Sequence, residues 1–332
     1  MACRQTRRGF VKATLAAAGA ASVLSAEERA LLAAGADAAK SPAGKGKAEP
    51  VKPASQAALP MGKIGELEVS RIILGGNLIG GWAHSRELMY VSKLLKAYHT
   101  DEKILDTLQA AEEHGVNCVN THPNAGRLIQ RYRKQRGGKM LWMVQAFCDE
   151  QGDFGPCIRT AVEYGVDLIQ IQGGQADKLF AEGKWDWLDR GIRQILAADR
   201  PAGLGAHSLD VIKTAVKKDL PVDFYFKTFH HHRYRTAPKA GELKGPHAEI
   251  PGYWDKDPKG TAEFMKGVKV PWIGFKVMAA GSIRPRDAFQ YCFQNGADLL
   301  CAGMFDFQIA EDVKIANSVL NKIKKRARAW MA

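Results

Sequence analysis

Three segments of the chain share one joint: the end of a helix, a glycine, and at once an apolar strand. They are His114-Gly115-Val116-Asn117-Cys118-Val119-Asn120, Tyr164-Gly165-Val166-Asp167-Leu168-Ile169-Gln170 and Asn295-Gly296-Ala297-Asp298-Leu299-Leu300-Cys301. The glycine suits the left-handed residue that ends many helices. The strand that follows is largely apolar rather than alternating, the pattern of a strand covered on both faces. A joint of this kind, repeated along a chain, predicts alternating β and α elements around a parallel sheet.

Further strands follow other punctuation. Ile72–Leu74 comes after Ser70-Arg71, Met140–Val144 after Gly137-Gly138, and Ala202–Ala206 after Arg200-Pro201. Val222–Phe226 follows Leu220-Pro221, and Trp272–Val277 follows Pro271. With the three joints this makes eight short strands, separated by helical patterns such as Lys103–His114, Asp210–Lys217 and Pro285–Asn295. Eight βα units over residues 61–332 match the ~250 residues of a (β/α)8 TIM barrel, the expected fold. An open doubly wound sheet would carry a G-x-G-x-x-G turn after its first strand, and Gly75-Gly76-Asn77-Leu78-Ile79-Gly80-Gly81 lacks that order.

Residues 1–60 stand apart from this pattern. Arg7-Arg8-Gly9-Phe10-Val11-Lys12 precedes an uncharged run from Ala13 to Leu24 and reads as a twin-arginine export signal. The run is roughly half of the ~20 residues that span a bilayer, so a cleavable signal over residues 1–26 is expected rather than a stable membrane anchor. Residues 27–60 are rich in Ala, Pro, Gly, Ser and Lys and read as a linker. The expectation is a protein exported folded, with the twin-arginine machinery as its partner and a periplasmic or otherwise extracytoplasmic location.

The net charge of +13 raises the question of nucleic acid. Residues 1–60 hold nine Lys/Arg and four Asp/Glu, a net of +5. The rest concentrates in Arg127–Arg136 and Lys322–Arg328, which read as solvated helix faces without interleaved aromatics. No nucleic-acid partner is expected. Six cysteines are present, without any Cys-x-x-Cys pair. Cys118 and Cys301 read as core residues, and Cys148 and Cys157 are spaced such that a disulfide is conceivable.

In a barrel the chemistry sits at the C-terminal strand ends and the loops after them. Those positions here are Asn77, Asn120, His122, Gln145, Gln170, Gln172, His207, Lys227, His230–His232, Lys276 and Asp306. Amides and histidines dominate and carboxylates are scarce, which suits a neutral carbonyl-bearing or polyhydroxylated small molecule.

Met61-Gly62 through Ser70-Arg71-Ile72-Ile73-Leu74-Gly75-Gly76, Val166–Gln172, Gly205-Ala206-His207-Ser208 and Phe275–Gly281 together resemble the aldo/keto reductases. The resemblance runs from about Met61 to Ala316. It implies a (β/α)8 barrel and NADPH-dependent carbonyl reduction by a tyrosine, a lysine, an aspartate and a histidine. Matched strand by strand, the aspartate position holds Asn120, the lysine position Gln145, the histidine position Gln172 and the tyrosine position Ala125. A reductase needs the lysine to lower the pKa of its tyrosine acid, and neither partner is present. The loop Gly303–Gln308 also lacks basic residues for a 2′-phosphate. Ordinary reduction with NADP(H) is therefore not the expected chemistry.

Two other routes are open to such a mouth. His122, His207 and His230 are candidate ligands of a divalent metal, with Asp306 or Glu249 as a carboxylate partner. At most two of the adjacent His230–His232 side chains can face one way in an extended segment, so one is expected at the surface. His122, His207, Lys227 and Lys276 are the candidate catalytic groups, and Asn77, Asn120, Gln145, Gln172 and Trp82 the candidate substrate-binding ones. Lys227 and Lys276 have an alternative role as partners of carboxylates. The segment Arg233–Pro258 exceeds an ordinary βα loop and reads as a lid carrying Tyr234, Tyr253 and Trp254. The expected reaction is proton transfer next to a carbonyl, of the lyase, isomerase or epimerase type. An oxidoreductase with a rearranged nicotinamide site and a non-catalytic sugar-binding barrel are the alternatives.

Overall fold

The computed structural model describes residues 59–82, 88–244 and 255–332. The expected export signal, the linker up to residue 58, Glu249, Tyr253 and Trp254 lie outside the described residues. Among those described, no helix is long and apolar enough to cross a membrane.

The described chain begins with an antiparallel hairpin, β1 (Met61–Ile64) and β2 (Leu67–Ser70). Eight parallel strands follow: β3 (Ile72–Gly75), β4 (Cys118–Thr121), β5 (Leu141–Ala146), β6 (Leu168–Ile171), β7 (Ala202–Ala206), β8 (Phe224–Thr228), β9 (Trp272–Phe275) and β10 (Leu299–Ala302). They pair in chain order, and β10 pairs back onto β3, so the barrel is closed. Closure removes every sheet edge, and the strands can be apolar on both faces.

Side chains of alternate parity divide between two cores. Ile73, Cys118, Met143, Leu168, Phe224, Phe226, Ile273 and Leu299 fill the barrel, and Ile64 and Val69 of the hairpin join them. The hairpin, which the sequence pattern does not announce, plugs the end at which the strands begin. It is tied there by Ser70 N donating to Asn117 Oδ1 at 2.8 Å and Asn117 N donating to Ser70 Oγ at 3.1 Å.

The other strand faces meet the helices: α1 (Val91–Tyr98), α2 (Asp101–Glu113), α3 (Gly126–Arg136), α4 (Gly155–Glu163), α5 (Gly173–Ala181), α6 (Trp185–Ala197), α7 (Leu209–Lys217), α8 (Pro258–Met265), α9 (Pro285–Gln294) and α10 (Asp306–Lys322). Helix α2 shows why these segments form helices. Thr100 caps it by accepting from Lys103 N at 3.3 Å, and Asp101 and Glu102 occupy the first turn, where the helix dipole favours acids. Leu105, Leu108 and Ala111 then form one buried stripe. Truncating Leu108 to alanine would cost about 2–5 kcal/mol.

The three joints are as the sequence implies: Gly115, Gly165 and Gly296 have φ of 85°, 76° and 104°. Among the strand limits that differ, two have a plain cause. The strand expected over Trp272–Val277 ends at Phe275, because Lys276 turns into the left-handed region at φ 54°. The strand expected from Val222 begins at Phe224, because Asp223 is spent on β7: its backbone N donates to Ala202 O and its Oδ2 accepts from Ala202 N.

The two basic clusters are not simple solvated faces. On α3, Arg131 pairs with Asp101 and Glu102, Arg136 with Asp106 at 2.9 Å, and Arg133 with Asp167 at 2.6 Å. Beyond α10 the chain is not helical, and Arg326 and Arg328 turn inward around the buried Asp298, which also holds Met331 N at 2.9 Å. A carboxylate buried at the start of β10 needs countercharge, and the C-terminal segment supplies it. The five described cysteines, Cys148 and Cys157 included, are free thiols.

Candidate active site

At the C-terminal end of β7, Ala202, Leu204 and Ala206 face the helices, so Gly203, Gly205 and His207 have inward parity. His207 is held from outside by Asp177 on α5. Its Nδ1 lies 2.7 Å from Asp177 Oδ2, its backbone N 3.0 Å from the same oxygen, and Ser208 N 2.9 Å from Asp177 Oδ1. Burial disfavours the Asp177 charge, but the imidazole and the two backbone N–H groups outweigh it and hold the carboxyl below its ordinary range. An ionised carboxylate only accepts, so Nδ1 carries the proton and Nε2 the lone pair. Burial, opposed by Asp177 and helped by the charge of Lys276, lowers the pKa of His207. The ring is therefore neutral at pH 7, with its basic nitrogen on the edge away from Asp177.

Asp177 is the functional residue that sequence reasoning misses. It sits on the second turn of a helix rather than at a strand end, and only its position five residues beyond Gln172 ties it to the barrel mouth. Glycines make the contact possible: a Cβ on Gly173 would lie 3.3 Å from His207 Cε1.

The other predicted residues divide. Lys276 follows β9, and its charge acts on both His207 and His230. Its left-handed backbone is unusual for a residue with a side chain, and such strain concentrates at functional sites. Asn120 is buried on the inner face of β4 and accepts from Gln170 Nε2 at 3.2 Å. Gln145, half-buried, is in register with Gln170 on the neighbouring strand. His122 lies on the rim, its Nδ1 accepting from Asn124 N at 3.2 Å and its ring 6.4 Å from Trp82 and 5.2 Å from Phe147. Asn77 is exposed, and its carbonyl accepts from Trp82 N at 2.8 Å, fixing that exposed indole beside His122. Gln172 is the N-cap of α5, its Oε1 accepting from Gln175 N at 2.7 Å, which leaves its amide N–H groups for any other contact.

Lys227 is placed otherwise than expected. Phe224 and Phe226 occupy the barrel, so Lys227 shares the helix-facing side with Tyr225 and Ala206. It is fully buried, donates to Thr228 O at 2.8 Å and lies 3.9 Å from Asp255 Oδ1. It is half of a buried ion pair on the helix-facing side, and its charge also acts on His207 and is felt by Asp177. The three adjacent histidines also depart from expectation, since none is exposed. Burial and the surrounding cationic side chains push His230 down to about 3, His231 packs edge-on against Tyr291, and His232 Nε2 donates to Asp255 O at 2.6 Å.

Among the described residues no group of three or more His, Cys, Asp or Glu side chains is placed to hold a metal ion. His122, His207 and His230 therefore do not form the expected ligand set, and Asp306 is engaged elsewhere, by Tyr98 at 2.6 Å and Lys103 at 3.0 Å. That loop does not suit the 2′-phosphate of NADPH either. It presents a carboxylate and the exposed Phe307, and its nearest ammonium is already paired. A cleft of about 400 Å³ beside the mouth is lined by Cys148, Gln175, Lys178, Glu182, Lys184 and Trp187 among others. Both of its lysines pair with Glu182, Lys184 at 2.8 Å and Lys178 at 3.9 Å, and it contains neither the dyad nor the inner amides.

The closed barrel with polar groups gathered at its strand ends is the (β/α)8 architecture that hosts many unrelated enzymes. No protein-family model and no curated protein matches the chain. Among solved structures it is similar to a protein provisionally described as an aldo-keto reductase from Pseudomona aeruginosa, with 16% identity, a TM-score of 0.53, and coverage of 79% of this chain and 94% of that one. A second structure so described, from the same organism, has 15% identity and a TM-score of 0.51, covering 78% and 95%. At this identity the likeness is one of fold.

Proposed function

We propose that the barrel is an enzyme of proton transfer next to a carbonyl, acting on a small carbonyl- or carbohydrate-type substrate. The observation that carries this is the Asp177–His207 pair, with its 2.7 Å contact and two further backbone N–H groups on the same carboxylate. His207 Nε2 takes the proton from the carbon beside the carbonyl, and the electron pair of the broken C–H bond moves to the carbonyl oxygen. Lys276, the cation whose charge acts most strongly on His207, is the group assigned to that developing oxyanion, which a fixed charge in a desolvated site stabilises strongly. Returning the proton to the other face or the other carbon completes an epimerisation or isomerisation, and loss of a leaving group completes a lyase reaction.

The test is exchange. In D₂O, NMR of aldoses, ketoses and 2-oxo acids incubated with the full chain should show loss of the C–H signal beside the carbonyl. His207→Asn should abolish it, and a wild-type protein that exchanges none of them refutes the reading. The same reading includes export, supported by Arg7-Arg8-Gly9-Phe10 ahead of an apolar run. Replacing Arg7 and Arg8 together by lysine should retain the protein in the cytoplasm on cell fractionation; unchanged export sinks that part.

A further inference from the structure

Two carboxamides lie inside the barrel one layer below His207. Asn120 is 3% exposed and Gln170 2%. Gln170 donates through Nε2 to Asn120 Oδ1 at 3.2 Å, which fixes its amide so that Oε1 faces the other way. Among the described residues Oε1 has no hydrogen-bond donor. A buried amide oxygen left in this state is costly, and native proteins retain few of them without a use.

The backbone around it is shaped to admit this amide. A Cβ on Gly205 would lie 2.6 Å from Gln170 Oε1, 2.6 Å from Ile171 O and 3.0 Å from Gly173 N. Only glycine leaves room there, and His207, the residue that follows β7, is two positions further along with the same inward parity. The inward residues of β4 to β7 near this level are Asn120, Gln145, Gln170 and Gly205, all uncharged. Such a floor cannot neutralise a phosphate or carboxylate, but it offers an oriented acceptor to an O–H group.

We infer that the Asn120–Gln170 carboxamide pair is the floor of the substrate site, and that Gln170 Oε1 accepts a hydroxyl of a neutral polyhydroxylated carbonyl compound held beneath His207. This names the substrate class for the site proposed above and rests on that reading for the site's position. It makes Gln170 a specificity residue, since a site built around a hydroxyl rejects the analogue that lacks it.

The experiment is ligand-observed NMR titration of the full chain with D-glucose, D-fructose, D-xylose and their singly deoxygenated counterparts. One deoxygenation should weaken binding by about 10-fold or more. Gln170→Leu should weaken the parent sugar by a similar factor and leave that deoxy analogue unchanged. Gln170→Glu, which keeps the acceptor, should preserve the discrimination and covers the case in which the leucine variant does not fold. Failure of every sugar to bind overturns the inference. So does equal weakening of parent and deoxy analogue in Gln170→Leu, which would assign Oε1 to a buried water. His207→Asn should keep the discrimination while stopping exchange. Discrimination without exchange in the wild type refutes the proton-transfer reading alone, and exchange without discrimination refutes this inference alone.

Discussion

Asp177 grips His207 at both its ring and its backbone: one carboxylate accepts from Nδ1 at 2.7 Å, from the residue's own N–H at 3.0 Å and from Ser208 N at 2.9 Å. Ring orientation, tautomer and strand end are thus set by a single side chain on the neighbouring helix. Asp177→Asn replaces an acceptor-only group by an amide that can turn its N–H toward Nδ1 and so favour the wrong tautomer. Loss of exchange activity by about 10²–10⁴-fold is expected, with a far smaller change in melting temperature. Equal activity in the two proteins would remove Asp177 from the mechanism.

The pH profile carries a sign. His207 acts as a base only when neutral, and its folded pKa lies below the ordinary 6.5. The exchange rate should rise with pH to a plateau whose acid limb has its midpoint below 6.5. A limb centred above 7 contradicts the assignment.

Stability has a matching dependence. His230 titrates near 3 in the fold and near 6.5 when unfolded, so the unfolded chain binds more protons between those values. The stability from this group is therefore whole above pH 6.5 and is lost as pH falls toward 3, by up to about 1.4 kcal/mol per pH unit. Denaturant titrations between pH 6 and 4.5 should show a slope of that sign, and His230→Leu should make it shallower, His207 and the other buried histidines supplying the remainder.

Lys227 is expected to matter for folding and not for chemistry. Lys227→Met leaves Asp255 buried without its cation and should cost about 3–5 kcal/mol, whereas Lys227→Met with Asp255→Leu should recover most of it. The double variant should retain exchange activity per folded molecule. A folded but inactive double variant would restore Lys227 to the catalytic set.

Gly205→Ala tests the space under the dyad. The new Cβ meets two backbone groups of β6 and α5 as well as Gln170 Oε1, and backbone cannot step aside. A loss of about 1–3 kcal/mol in denaturant unfolding is expected. An unchanged midpoint would mean that the amide does not occupy that slot.

The chain alone carried the barrel. Each glycine joint, such as His114-Gly115-Val116, is a local event: helix termination and strand onset depend on backbone conformation and on a continuous apolar run. Both are properties of neighbouring residues. With the strands known, the residues at and just after their C-terminal ends followed, which is how Asn120, Gln145 and His207 could be picked out at the mouth.

What the chain could not carry was which charges meet. Asp177 and His207 are thirty residues apart, Lys227 and Asp255 are far apart in the sequence too, and Asp298 collects Arg326 and Arg328 from beyond the last helix. Polar side chains work at separations of about 3 Å, and sequence spacing says nothing at that scale. Lys227 shows the limit most clearly. Its position at a strand end was legible, but whether its ammonium enters the mouth or the helix layer depends on a one-residue parity that Phe224 and Phe226 decide by filling the barrel. Periodicity determined the fold because burial is repetitive and local; the site was decided by tertiary structure, because a hydrogen bond is neither.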